Sequence, residues 1–221
     1  MNQNRALVVG AAGLTGGKLL SLLLESPAHT EVFAVVRSPL DLQHPKLKQL
    51  VLDFEAVEEW GEEIAAEEAY LCLGTTIRKA GSVAAFRAVD VELTIAIAQR
   101  CQLFVHSAVV LSSLGASSAA LNFYRKAKGD MESRFIRLDI PRKVVVRPSL
   151  LLGERKEKRW AEHLGKFMLR IFRPLLRGRW QKYRAIEAET VARAMLHLGT
   201  DRSKGIYFYE SNDLERFGSR P

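Results

Sequence analysis

The chain has 221 residues, of which 48% are hydrophobic and 26% are charged, which fits one globular α/β domain. No apolar run reaches the length of a membrane span, and the two cysteines are too few for a disulfide framework. The N-terminus leads straight into an apolar strand and not into a signal peptide, so we expect a cytoplasmic protein.

The net charge of +8 is concentrated in one segment. Residues 155–184 contain eleven Lys/Arg and two Glu, a net charge of +9, so the rest of the chain sums to −1. Such a block can contact a protein partner, nucleic acid or an anionic surface, but its simplest interpretation is a solvated helix face. Because no nucleic-acid-binding motif accompanies it, nucleic acid ranks below a protein partner.

The first feature in chain order is a glycine cluster between a predicted strand, residues 5–9, and a leucine-rich predicted helix. The free N–H groups at the start of such a helix form a phosphate site. Gly10 permits the tight turn, Gly13 lets a diphosphate approach the backbone, and Gly16 lets helix and strand pack closely. A turn that binds nothing is the alternative. We predict dinucleotide binding by Gly10, Ala12, Gly13, Leu14, Thr15 and Gly16.

The next two predicted strands end at candidate adenosine contacts. Residues 31–36 end at Arg37, where an arginine pairs with the 2′-phosphate of NADP and an acidic residue would bind NAD. We therefore favour NADP, with a plain surface arginine as the alternative. A short strand at residues 50–52 ends at Asp53, which either accepts a hydrogen bond from the adenine amino group or caps a helix.

The middle of the chain continues the alternation of strands and helices. The acidic residues 55–68 predict a solvated helix, and a buried strand over 69–73 is followed by a glycine that allows close approach of a ligand. We assign this strand end to the cofactor through Leu73, Gly74 and Thr75. The helical spacing of residues 82–99 predicts a core helix. Residues 103–111 read either as one long strand or as an interrupted one.

The second half completes the pattern. We predict helices over residues 122–138, 156–176 and 190–198, and strands over 144–146 and 206–209. Pro148, just after the first of these strands, joins the cofactor-binding candidates. Apolar strands alternating with helices predict an α/β fold with a doubly wound parallel sheet of the Rossmann type. We expect one domain over residues 1–221, with the part from about residue 150 onward forming the substrate side.

The chemistry centres on Tyr124 and Lys128, which lie four apart on one face of a predicted helix. A lysine ammonium near a phenol stabilises the phenolate, and it can also hold the cofactor ribose. Ser112, at the end of the preceding strand, can hydrogen-bond a substrate oxygen; Ser107 and Ser113 are competing candidates. Together these groups suit hydride transfer between a carbonyl or alcohol and a nicotinamide.

These motifs, in this order, resemble the atypical short-chain dehydrogenase/reductases. The resemblance spans nearly the whole chain and includes the glycine cluster, Cys72–Thr76, Phe86–Asp90, Ser112–Ala116 and the Tyr124–Lys128 pair, with Arg147–Gly153 after it. It implies a Rossmann fold that binds NADPH, with Ser112, Tyr124 and Lys128 catalytic and Arg37 on the 2′-phosphate. Some relatives act as cofactor-sensing regulators. The sequence thus predicts an NADP(H)-dependent oxidoreductase with an unnamed small substrate, or an NADP(H)-binding regulatory protein.

Overall fold

A computed structural model describes residues 4–153 and 184–219. Seven strands form one fully parallel sheet in the order β3-β2-β1-β4-β5-β6-β9. This confirms the doubly wound, Rossmann-type prediction. The strands of the sheet are β1 (Arg5–Val9), β2 (Glu31–Val36), β3 (Leu47–Val51), β4 (Glu68–Leu71), β5 (Ser107–Leu111), β6 (Arg142–Arg147) and β9 (Gly205–Glu210), and a separate short pair joins β7 (Leu151–Leu152) to β8 (Ile186–Glu187).

Helices cover both faces of the sheet. They are α1 (Leu14–Glu25), α2 (Ile77–Ala80), α3 (Val83–Arg87), α4 (Thr94–Cys101), α5 (Phe123–Phe135), α6 (Ala188–Thr200) and α7 (Ser211–Gly218), with a π-helical turn over Ala88–Leu93. Two buried apolar clusters hold these layers together. One includes Leu19 of α1 and Met195 of α6, and the other includes Ile95 of α4 and Met131 of α5.

The acidic stretch differs from its prediction as a helix. It forms two short 3₁₀ turns, Val57–Glu59 and Glu62–Ile64, and is not solvated throughout. Trp60 is buried and donates its ring N–H to the carbonyl oxygen of Asp53 at 2.9 Å. Gly61 separates the two turns with a non-helical backbone (φ −107°, ψ −144°), so the acidic segment does not continue as one helix.

The open question at residues 103–111 also has an answer. Strand β5 begins only at Ser107, and the preceding apolar residues belong to the turn that follows α4. The predicted helix over residues 156–176 lies outside the described residues. None of the described helices is long and apolar enough to cross a bilayer.

The topology positions the site. Because all seven strands of the sheet run in the same direction, their carboxyl ends lie along one edge. The chain reverses its direction of winding between β1 and β4, and ligands of doubly wound proteins bind in the crevice outside the carboxyl ends at such a switch point.

Candidate functional site

The glycine turn has the geometry expected of a phosphate loop. Gly10 has a left-handed backbone (φ +88°), and a Cβ atom there would lie 2.7 Å from the carbonyl oxygen of Cys72. A Cβ atom at Gly16 would overlap the carbonyl oxygen of Gly10, so helix α1 packs directly on the turn. Gly13 is the N-cap and supplies no side-chain cap, which leaves the first N–H groups of α1 available for a ligand.

Two further features of this turn fit a bound phosphate. Ala12 and Gly13 are exposed, so the outer side of the turn is open. The hydroxyl of Thr15 is buried and has no hydrogen-bond partner among the described residues. A buried polar atom without a partner is rare and indicates a group or water that completes its hydrogen bonding.

Arg37 and Asp53 follow strands β2 and β3, as predicted. Arg37 is exposed, and no described residue forms a hydrogen bond or ion pair with its guanidinium. The Asp53 carboxylate accepts a hydrogen bond from the backbone N–H of Glu55 at 2.9 Å, a local turn contact. The second oxygen of that carboxylate remains for another donor.

The loop after β4 meets helix α5 through Asp90, a residue to which the sequence analysis gave no role. Its Oδ2 atom accepts a hydrogen bond from the backbone N–H of Thr75 at 2.8 Å, and its Oδ1 atom lies 2.7 Å from Nζ of Lys128. The side chains of Asp90 and Lys128 are 1% and 5% exposed. This is a buried ion pair that joins two predicted site segments.

Tyr124 lies one helical turn before Lys128. Asn122 caps this helix by accepting hydrogen bonds from the backbone N–H groups of Tyr124 and Arg125. The Tyr124 ring packs against Phe86, with 5.6 Å between centroids, and the residue is 37% exposed. Its hydroxyl makes no hydrogen bond to a described residue, so the phenol is accessible to a ligand.

Ser112 is held by a charged network. Its hydroxyl donates a 2.5 Å hydrogen bond to Oε1 of Glu132, and the same carboxylate accepts hydrogen bonds from Nε and Nη2 of Arg147 at 3.0 and 2.6 Å. Hydrogen bonding to Glu132 raises the pKa of Arg147. The network fastens α5 to the ends of β5 and β6, and the sequence contained no signal that paired these three residues.

The two competing serines lie in different places. Ser107 begins β5, at the amino edge of the sheet and away from the predicted site. Ser113 follows Ser112 at the carboxyl edge, and its hydroxyl is buried without a partner among the described residues. The Ser107 hydroxyl also has no partner among the described residues, so it is the position of Ser113 at the carboxyl edge that distinguishes the two.

The serine loop is fixed to its neighbours by backbone contacts. The Leu114 N–H donates to the carbonyl oxygen of Pro148 at 2.8 Å, which ties the predicted cofactor contact Pro148 to this loop. A Cβ atom at Gly129 would overlap the backbone of Ser117, so the absence of a side chain lets the loop lie directly on α5.

The cysteines have a structural role only. Cys72 and Cys101 are both free and buried, and burial raises the pKa of each thiol to about 12. A thiol of that kind is protonated and unreactive at neutral pH.

The chain is similar in sequence to several known proteins. No protein-family model matches the chain. Protein HTATIP2 of Rattus norvegicus is 31% identical over 206 residues, which cover 89% of this chain and 81% of the relative. A protein of Eremothecium gossypii named "Protein FMP52, mitochondrial" is 33% identical over 181 residues, covering 80% and 79% of the two chains.

Solved structures share the fold at low sequence identity. MoeE5, solved in complex with UDP-glucose and NAD, has a TM-score of 0.69 at 19% identity and covers 96% of this chain and 79% of its own. Human epimerase family protein SDR39U1, solved with NADPH, has a TM-score of 0.62 at 20% identity, with 94% and 74% covered. At such identities the likeness shows a common fold.

The expected cytoplasmic location is wrong. Relatives of this chain, the Eremothecium protein among them, are named as mitochondrial. The expectation failed because free cysteines indicate only a reducing environment, which more than one cell compartment provides.

Proposed function

The chain belongs to the atypical short-chain dehydrogenase/reductases related to HTATIP2 and FMP52, and on that basis we propose that it is an NADP(H)-dependent oxidoreductase acting on a small carbonyl compound or its alcohol. The observation that carries the proposal is the pair Tyr124 and Lys128. The phenol is open to a ligand, while the ammonium one turn away is buried against Asp90.

The cofactor fits the residues at the carboxyl edge. The open turn at Ala12 and Gly13 and the partnerless hydroxyl of Thr15 support a diphosphate there. The exposed guanidinium of Arg37 supports a 2′-phosphate and hence NADP over NAD. We assign the remaining contacts to Gly10, Leu14, Gly16, Asp53, Leu73, Gly74, Thr75, Lys128 and Pro148. When bound, the nicotinamide supplies or accepts the hydride.

The chain's own residues then handle the proton and the orientation of the substrate. In the reductive direction the hydride adds to the carbonyl carbon and the Tyr124 hydroxyl gives its proton to the oxygen, so the product is an alcohol. Lys128 stabilises the resulting phenolate and holds the cofactor ribose. We assign the hydrogen bond that orients the substrate oxygen to Ser113, since the hydroxyl of Ser112 is donated to Glu132.

The test is a panel of small carbonyl compounds assayed with NADPH, after calorimetry has established cofactor binding. We expect turnover by the parent protein and its loss in Tyr124→Phe, which retains the ring but lacks the proton. Tyr207→Phe is the matched control, because the hydroxyl of Tyr207 bonds the backbone at Lys204, away from the site. Equal turnover by parent and Tyr124→Phe would remove the assigned role of the phenol.

The second candidate is a protein that binds NADP(H) and a partner without turnover. This candidate is favoured because two polar groups of the site are already paired within the chain. The Ser112 hydroxyl donates to Glu132, and the charge of Lys128 is offset by Asp90. The basic segment 155–184 is its partner-binding candidate, and all of it except Arg184 lies outside the described residues. If the same partners are captured with and without NADPH, this alternative fails.

A further inference from the structure

The Asp90 carboxylate lies between two segments that the proposed function uses separately. One oxygen accepts the Thr75 backbone N–H at 2.8 Å, and the other lies 2.7 Å from the Lys128 ammonium. Both oxygens therefore have a charged or polar partner, and the side chain is 1% exposed. A buried carboxylate costs free energy unless it is paired in this way, so its position is determined by both partners.

Asp90 lies within a distorted segment of its helix. The helix widens into a π turn over Ala88–Leu93, and the Thr94 hydroxyl donates to the carbonyl oxygen of Val89 at 3.1 Å. Turns of this kind are rare and are frequent at functional sites. Here the turn combines with a buried carboxylate that contacts α5 and the loop after β4.

We propose that Asp90 is a positioning residue that couples the Gly74–Thr75 loop to Lys128, so that cofactor contact at the loop and orientation of the ammonium are set together. The inference rests on the proposed function, because it assumes that the loop and the lysine contact one cofactor. Lys128 has three N–H donors. The Nζ atom lies 2.7 Å from Oδ1 of Asp90 and 3.5 Å from the carbonyl oxygen of Leu111. These two contacts use two of the N–H groups and leave one for the ribose.

The pair also sets the charge of the site. Because Asp90 offsets the ammonium, the two residues together are neutral, and a neutral pair can be buried where an isolated lysine would be costly. Without the carboxylate charge, no ion pair with Asp90 holds the Lys128 ammonium in its position. An asparagine can accept from the Thr75 N–H or from Lys128 through its one oxygen, but it cannot replace both acceptors.

The experiment measures binding of NADPH by calorimetry to the full chain. In Asp90→Asn we expect affinity to fall about tenfold, the effect of losing one charged hydrogen bond. The matched control is Asp130→Asn, which removes the charge from the 2.8 Å pair between Asp130 of α5 and Arg87 of α3, the residue just before the π turn. That pair is more exposed, so we expect the affinity of the control to change by no more than about twofold.

A double-mutant cycle separates positioning from general destabilisation. If Asp90 acts through Lys128, Asp90→Asn added to Lys128→Met causes no further loss of NADPH affinity. The double variant buries no unpaired charge and is the one to use if Asp90→Asn alone fails to fold. A further loss in that background, or full affinity in Asp90→Asn, overturns the inference. A parent that binds neither NADPH nor NADH overturns the proposed function as well, which distinguishes the two failures.

Discussion

Ser112 donates its only hydroxyl hydrogen to Glu132, at 2.5 Å, and both residues are buried, with 5% and 4% of their surface exposed. A serine in this state cannot also donate to a substrate oxygen. The hydroxyl of the next residue, Ser113, is buried at the same sheet edge and has no partner among the described residues. Two adjacent serines thus carry different tasks, one in the framework and the other in the proposed chemistry.

Alanine at each serine should separate these tasks. We expect Ser113→Ala to lower turnover of the carbonyl substrate by about 10- to 100-fold with little change in stability, because it removes an orienting donor. Ser112→Ala should lower the free energy of unfolding by about 2 kcal/mol, because it removes a buried hydrogen bond to a charged group. Steady-state turnover and urea denaturation of both variants measure the two effects.

The two serines serve as controls for each other. Substitution of either one replaces the same hydroxymethyl group by a methyl group, one residue apart in the chain. If Ser112→Ala abolished turnover while Ser113→Ala left it intact, the original assignment of Ser112 would stand and the reassignment to Ser113 would be wrong.

Arg37 should decide between the two nicotinamide cofactors. We expect Arg37→Gln to weaken NADPH binding by about tenfold or more, because a guanidinium makes charge-assisted hydrogen bonds with a phosphate. The affinity for NADH, which lacks the 2′-phosphate, should not change. Calorimetry with each cofactor measures both values. Arg216→Gln, which removes the same charge at an exposed position of helix α7, should change neither affinity. An equal loss of NADH affinity in Arg37→Gln would contradict the assignment.

The sequence predicted the sheet well because the signals for it are local. Short apolar runs such as residues 5–9 and 31–36 correspond to buried parallel strands. Strand β5 likewise coincides with an apolar run that follows its first residue, Ser107. The glycine spacing also has a local cause, since Gly10 needs a left-handed backbone. Patterns of this kind depend on near neighbours in the chain.

The contacts within the site could not be predicted, because they join distant residues. Asp90 looks like one polar position in an amphipathic helix until the fold brings it to Lys128, 38 residues further on. Glu132 likewise has no local sign of its pairing with Ser112. The helix predicted over residues 55–68 is wrong for a more local reason, because Gly61 interrupts the segment and the Trp60 ring donates to the backbone of Asp53.

Glu68, at the amino edge of the sheet, should make the free energy of unfolding depend on pH in the acid range. Burial alone would raise the pKa of Glu68, but hydrogen bonds from His29, Tyr70 and Asn4 lower it below its ordinary value. Because the folded pKa is the lower one, this stabilisation is present above the unfolded pKa of about 4.3. It is lost as the pH falls through the folded value.

Glu68→Gln is therefore expected to be less stable than the parent by about 2 kcal/mol at neutral pH, with the difference shrinking in acid. Urea denaturation of both proteins from neutral pH down through the acid range measures this. Glu59→Gln, at an exposed position, should keep the acid dependence of the parent. An unchanged gap between Glu68→Gln and the parent at all pH values would contradict the linkage.

The glycine turn allows cofactor binding to be separated from packing. In Gly16→Ala the new methyl group overlaps the carbonyl oxygen of Gly10 and lies 3.2 Å from Cβ of Cys72, so helix α1 must move away from β1. We expect a loss of about 3 kcal/mol in the free energy of unfolding, together with weaker NADPH binding. In Gly13→Ala the backbone is ordinary (φ −78°) and the nearest atom, the carbonyl oxygen of Gly10, is 3.1 Å away.

Gly13→Ala should therefore change stability by only about 0.5 kcal/mol. Its methyl group nevertheless stands on the open side of the turn, where the diphosphate is proposed to approach, so we expect NADPH affinity to fall about tenfold. Calorimetry and urea denaturation of the two variants give the comparison. If Gly13→Ala bound NADPH as tightly as the parent, the added methyl group would not meet the cofactor. The diphosphate would then not lie against this turn.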